Sequence, residues 1–121
     1  MDVIAAVLAV FLGVTGVAHF VVPGYFRSLV PSWLGAAGLL VAVSGVAELV
    51  VGVFIAVPPT RAAGAWAAAA LIGAYLISHL DAVRHARPRH TNVLLRPGVV
   101  AARLVVNVGY IGWALLVATG A

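Results

Sequence analysis

The fold class predicted by the sequence is all-α, an integral membrane four-helix bundle, and three observations predict it. The 121 residues are 64% hydrophobic and 8% charged, with a mean hydropathy of +1.18, values a water-soluble domain of this size would not tolerate. The apolar residues fall into four successive runs, at approximately 3–22, 35–57, 62–83 and 99–119, each near the ~20 residues that a membrane helix needs. Prolines and most of the charge gather in the stretches between those runs, where helices are expected to end. Residues 1–121 therefore read as a single transmembrane domain.

The first run starts from Met1-Asp2, an acidic rather than a basic beginning, and is too long for the apolar core of a signal peptide, so it is expected to stay in the mature protein. From Pro23 to Trp33 the prolines argue against a simple helix, while Tyr25, Phe26, Arg27 and Trp33 suit the headgroup boundary. This stretch is expected to be an interfacial loop between the first two helices. Val57-Pro-Pro-Thr60 reads as a tight turn into the third helix, with Thr60 as N-cap and Arg61 at the membrane edge. Arg84 to Asn92 is the longest polar stretch, a solvated hinge before the fourth helix.

All seven basic residues are arginine. Arg27, Arg84, Arg87, Arg89 and Arg96 belong to the first and third loops, and Arg61 alone lies on the side of the second loop and the termini. The excess of arginine on the cytoplasmic side of membrane proteins then places those two loops in the cytoplasm and both termini outside, in the cell membrane. The net charge of +4 accordingly reads as topology and headgroup contact, not as nucleic-acid binding. The absence of cysteine excludes thiolate catalysis, disulfide exchange and cysteine-ligated clusters.

Glu48 interrupts the second apolar run, in which nothing else is more polar than Ser44. A carboxylate at the centre of a membrane helix costs roughly 2.5–3.5 kcal/mol on insertion scales, so such groups face protein or water. Gly38, Gly45 and Gly52 recur every seven residues on the face that carries Glu48, and small residues mark close helix contacts, so Glu48 is expected to point into the bundle. Gly13, Gly16, Gly109 and Gly112 are the expected complementary sites. Arg103, Asn107 and Tyr110 form a polar stripe on the fourth helix, and Asn107 and Glu48 share a level at roughly 1.5 Å of rise per residue. Thr15 and His19 on the first helix, and Tyr75 and His79 on the third, are i, i+4 pairs in the same half of the membrane.

The resulting expectation is a polar pocket open toward the arginine-rich side. Glu48 is its floor, Asn107 and Arg103 are its neighbours, and His19 and His79 lie nearer the surface. Ser44, Tyr75, His79, Arg103, Asn107 and Tyr110 are the candidate ligand-binding residues, and Glu48 with His19 the candidate acid-base pair. A buried carboxylate can also serve only to fix helix register. Asp81 lies on another face and is placed to meet Arg84 or His85 one turn later. His19, His79 and Glu48 lack metal-ligand spacing, and there is no nucleotide-binding glycine loop, so neither a metal, a heme nor a flavin is predicted.

The motifs His19-Phe20-Val-Val-Pro23, Phe26-Arg-Ser-Leu-Val30-Pro31, Ser44-Gly45-Val-Ala-Glu48-Leu49-Val-Val-Gly52 and Pro58-Pro-Thr60-Arg61 resemble, in order and spacing, the signatures of the DoxX-like small membrane proteins. The resemblance implies a four-helix bundle linked to membrane redox chemistry through the thiosulfate:quinone oxidoreductase subunits after which that family is named. Where relatives often carry a phenylalanine-proline-alanine-asparagine type stretch, this chain reads Tyr75-Leu-Ile-Ser-His79, so the roles of Tyr75 and His79 rest on spacing alone. The expected function is to bind a quinone or other lipophilic ligand, as accessory subunit of a membrane complex or as a homo-oligomer. The alternatives are a small membrane enzyme doing acid-base chemistry on a terpenoid or sterol-like substrate, and a purely structural oligomeric protein.

Overall fold

A computed structural model describes residues 2–120. Asp2–Val21 forms α1, Pro23–Leu29 the short α2, Ala37–Ala56 α3, Arg61–His85 α4 and Pro97–Thr119 α5. Single 3₁₀ turns at Ser32–Leu34, Pro58–Thr60 and Val93–Leu95 precede the last three. Four helices, α1, α3, α4 and α5, are long and apolar enough to cross a membrane. Their outward surface is itself apolar: Val3, Val10, Val14, Val21, Leu39, Val53 and Val105 are all well exposed, the reverse of a water-soluble bundle. The chain is an all-α membrane protein.

Proline decides most of the boundaries. α1 stops at Val21, because the residue before Pro23 is driven from the helical region: Val22 has φ −126° and ψ 58°. The stretch after it is nonetheless helical, which corrects the expected loop. Pro23 stands in the first turn of α2, where a missing N–H leaves no bond unmade. α3 starts two residues later than expected, since Gly35 and Ala36 have φ of +66° and +46°, the left-handed region. α5 starts two residues earlier, again with a proline in its first turn.

The turn between α3 and α4 holds a second correction. Thr60 precedes α4, but its hydroxyl does not cap that helix; it donates backward to the carbonyls of Phe54 (2.7 Å) and Val57 (3.2 Å). Arg61 closes the end of α3, donating from Nε to the Ile55 carbonyl at 2.9 Å, and pairs through Nη1 with Asp2 at 2.8 Å. Cations favour this position, because the free carbonyls at a helix C-terminus carry partial negative charge.

α1 packs along α3 and α5 along α4, and α3 and α4 join the two pairs. The core lies in the half of the bundle nearest the termini, where Ala5, Leu8, Leu12, Ile55, Ala65, Ala68, Ala114 and Val117 are buried together. Small residues on α4, Gly64, Ala65 and Ala68, let the helices close there. A Cβ on Gly64 would come within 2.8 Å of Phe54 Cβ and 2.9 Å of the Ile55 nitrogen. In the other half α4 carries Ile72, Tyr75 and His79, and the helices enclose a cavity of about 480 Å³.

Candidate functional site

Glu48 projects from α3 into the bundle and is 2% exposed. One carboxylate oxygen accepts from the Thr15 hydroxyl of α1. The other accepts from the Tyr75 hydroxyl of α4 at 2.5 Å and lies 3.3 Å from His19 Nε2 of α1. α1 delivers two of these groups because Thr15 and His19 are one turn apart on the face that packs against α3.

Glycine lets that face approach. A Cβ on Gly45 would meet His19 Cβ and the Phe20 ring at 2.8 Å, one on Gly52 the Ala9 carbonyl at 3.2 Å, and one on Gly16 the Gly45 carbonyl at 3.1 Å. These three glycines make the expected close contacts. Gly13, Gly38, Gly109 and Gly112 do not, since a Cβ on any of them meets nothing within 4 Å.

Hydrogen-bond chemistry fixes a proton count at His19. Its Nδ1 lies 2.6 Å from the Thr15 carbonyl oxygen, which can only accept, so Nδ1 carries a proton. Nε2 then faces Glu48 Oε2, either as imidazolium against carboxylate or as imidazole against carboxylic acid. Both forms have zero net charge, which costs less in a low-dielectric interior than a lone buried ion. His19 lies in the last turn of α1 and is closed off within the bundle: it is 5% exposed and its ring stacks on Phe26 of α2 at 3.8 Å.

A second polar group lies across the cavity. Arg103 of α5 donates from Nε to His79 Nδ1 at 3.0 Å, from Nη2 to Ser78 Oγ at 3.2 Å and from Nη1 to the Leu94 carbonyl at 3.0 Å. Ser78 in turn donates to the Leu29 carbonyl at the end of α2. Because the guanidinium donates to Nδ1, the neutral His79 ring holds its proton on Nε2. Arg103, expected as a neighbour of Glu48, is thus engaged elsewhere. α5 packs on α4, so the guanidinium reaches Ser78 and His79 instead. Asn107, 3% exposed, donates to the Ile72 carbonyl at 3.3 Å and lines the same cavity as Glu48.

His19, Ser44, Glu48, Tyr75, His79, Asn107 and Tyr110 all line the cavity, whereas Arg103 stands behind His79. Ser44 donates to the Val41 carbonyl at 3.1 Å, and Tyr110 packs its ring 4.8 Å from that of Phe11. Apart from Thr15 and Ser78 the remaining wall is apolar, with Phe11, Leu12, Val41, Leu71, Ile72 and Phe26 among its side chains. The expected opening toward the arginine-rich end is covered by Phe26, Leu29, Val30 and Pro31. The exposed members of the lining are Leu34 in the turn before α3, Leu40 and Val43 on α3, and Ala74 and Ile77 on α4, so the mouth opens sideways between α3 and α4, beside that turn.

Three contributors escaped the list of candidate site residues. Thr15 had a signal, its one-turn spacing from His19. Ser78 had only its adjacency to His79, and Phe26 had none beyond aromatic character in a proline-rich stretch. Among the described residues no cluster of three or more His, Asp or Glu side chains is arranged to hold a metal ion.

Residues 8–118 match the family described as Domain of unknown function (DUF8561). The chain belongs to that family. No curated protein and no solved structure matches it. The match of this DUF8561 member runs from Leu8 in α1 to Ala118 in α5 and so takes in every residue of both polar clusters.

Proposed function

We propose that this protein holds a quinone or a similar lipophilic molecule inside the bundle, as an accessory subunit of a membrane redox complex or as a homo-oligomer. The observation that carries this reading is the cavity itself. Its walls are aliphatic and aromatic, yet His19, Glu48, Tyr75, His79 and Asn107 converge on it, the combination of apolar enclosure and few placed polar groups that small-molecule sites display. A ring oxygen would accept from His79 Nε2–H or meet the Tyr75 hydroxyl, while an apolar tail leaves through the mouth between α3 and α4. The resemblance of the His19 to Pro23 and Ser44 to Gly52 motifs to DoxX-like proteins supports the choice of a quinone and of an accessory role. On the arginine distribution, the loops before α3 and before α5 face the cytoplasm and both termini face outward, in the cell membrane.

The test is to purify the protein in mild detergent, identify by mass spectrometry what it retains, and add a short-chain benzoquinone while following thermal unfolding. The wild type is expected to carry an isoprenoid quinone or related lipophile and to be stabilised by the added quinone, with Tyr75→Phe and His79→Ala losing both effects. An empty wild type that the quinone does not stabilise would end this reading.

One observation favours a second reading, an enzyme acting on a terpenoid or sterol-like substrate. His19 and Glu48 lie 3.3 Å apart and both line the cavity, and two positioned titratable groups are what general acid-base catalysis requires. In that case Glu48→Gln retains the bound molecule but ceases to convert it, whereas a simple carrier shows no conversion in either form.

A further inference from the structure

Among the described residues every side-chain carboxylate is engaged with a basic side chain, and none of them faces Arg103. The three acidic residues are Asp2, Glu48 and Asp81. Asp2 pairs with Arg61 at 2.8 Å, Glu48 faces His19 at 3.3 Å, and Asp81 lies 3.6 Å from Arg84 and 3.7 Å from His85. Arg103 is part-buried, and each of its acceptors is neutral: an imidazole nitrogen, a serine hydroxyl and a backbone carbonyl. Dipoles of this kind orient a guanidinium but do not balance its charge, and an unbalanced cation within a membrane helix is costly. Three of its five N–H groups are used, so two remain for an anion.

A crevice of about 180 Å³, separate from the large cavity, lies against this guanidinium. Ser28 and Ser32 bound it on the α2 side, Ser78, Asp81 and His85 on α4, and Arg103 on α5. Asp81 does not close it to an anion, because its carboxylate is held by the Trp33 N–H at 3.0 Å and by Arg84 and His85. Arg103 is the seventh residue of α5, about 9 Å along the helix from Pro97, near the depth where acyl chains meet headgroups. Arg27, Arg84, Arg87, Arg89 and Arg96 lie in or beside the loops at this end of the bundle, a positive field that draws anions.

We propose that the crevice binds a phosphate of net negative charge, with Arg103 as its counter-charge, and that an anionic phospholipid headgroup supplies it. A guanidinium already oriented by three hydrogen bonds presents its remaining N–H groups to phosphate at little further ordering cost. The bound headgroup would also tie α2 to the bundle, since Ser78 joins Arg103 to the Leu29 carbonyl.

The experiment is competitive lipid retention by the purified full chain, read by native mass spectrometry, with equal phosphatidylglycerol and phosphatidylcholine and, in a parallel arm, inorganic phosphate. Wild type is expected to favour phosphatidylglycerol by roughly tenfold or more, and Arg103→Gln to abolish the preference. Arg103→Lys keeps the charge without the fork and is expected to keep part of it. Should Arg103→Gln fail to fold, Ser32→Trp at an exposed position fills the crevice with Arg103 intact and is expected to remove the preference as well. Displacement of the lipid by inorganic phosphate supports the same oxyanion site, and phosphate binding without any lipid preference identifies free phosphate as the source. Equal retention of the two lipids with no binding of phosphate overturns the proposal. So does a phosphatidylglycerol preference that survives Ser32→Trp.

Discussion

Glu48 accepts from Thr15 on one oxygen and from Tyr75 on the other, which also lies opposite His19 Nε2. A glutamine in its place can turn its amide toward the neutral His19 Nε2 and the Tyr75 oxygen, both of which can accept, and its carbonyl toward the Thr15 hydroxyl. The Tyr75 hydroxyl proton then loses the acceptor that Glu48 supplied. Glu48→Gln is therefore expected to fold with a loss of about 1 kcal/mol, the order of one altered hydrogen bond. Glu48→Ala leaves the Tyr75 hydroxyl and the His19 ring facing a void and is expected to cost roughly 3–5 kcal/mol. Equilibrium unfolding in mixed detergent micelles measures both, and equal losses would show that the three partners do not depend on this side chain. The inward direction of Glu48 was legible in the sequence, because a carboxylate in an apolar helix has few other places to go. Its partners were not, because spacing along one helix says nothing about which neighbour that helix faces. Arg103 lies on the helix that packs against α4 rather than α3.

Antiparallel packing of α1 on α3 explains which glycines count. Gly52 meets Ala9 and Leu12, and Gly45 meets His19 and Phe20, so one heptad earlier Gly38 would meet a residue near Phe26. The chain has left the α1 axis by then, at Val22 before Pro23, and Gly38 faces open space. The seven-residue repeat was legible; its end was set by a turn the repeat does not encode. Gly64 was missed for the converse reason, since its contact with Phe54 and Ile55 comes from the α3–α4 turn and belongs to no repeat. Gly45→Ala is expected to destabilise the bundle by about 1–3 kcal/mol through overpacking against His19. Gly38→Ala is expected to be neutral or stabilising by up to about 1 kcal/mol, from helix propensity alone. Thermal unfolding of the two variants side by side decides the matter, and a Gly45→Ala protein as stable as wild type would contradict the close α1–α3 contact.

Across the whole molecule, side-chain size divides the bundle into a closed half and an open one. Alanine and glycine at positions 64, 65 and 68 of α4 draw the helices together near the termini, where Ala5 and Ala114 are fully buried. Toward the other end Ile72, Tyr75 and His79 take their place, and the space between helices widens into the cavity. The four spans and their order were legible because periodic burial against lipid leaves a strong trace in composition. The cavity's mouth was not, because it depends on α2 folding across the end of the bundle, and the prolines of that stretch argue against a helix there. This division predicts opposite outcomes for the same substitution in the two halves. Ala47 lines the cavity one residue before Glu48, so the ring of Ala47→Phe enters existing space and gains contacts there. The variant is expected to unfold at or above the wild-type temperature while losing any retained lipophile. Ala5 is enclosed on all sides, and Ala5→Phe is expected to cost roughly 1–3 kcal/mol or more by forcing the helices apart, with retention changed only as far as the fold is lost. Thermal unfolding together with mass spectrometry of the extracted lipophile measures both quantities on each variant. If Ala47→Phe destabilised as strongly as Ala5→Phe, the two halves would be equally packed; if it kept the lipophile, the molecule would be held somewhere other than this cavity.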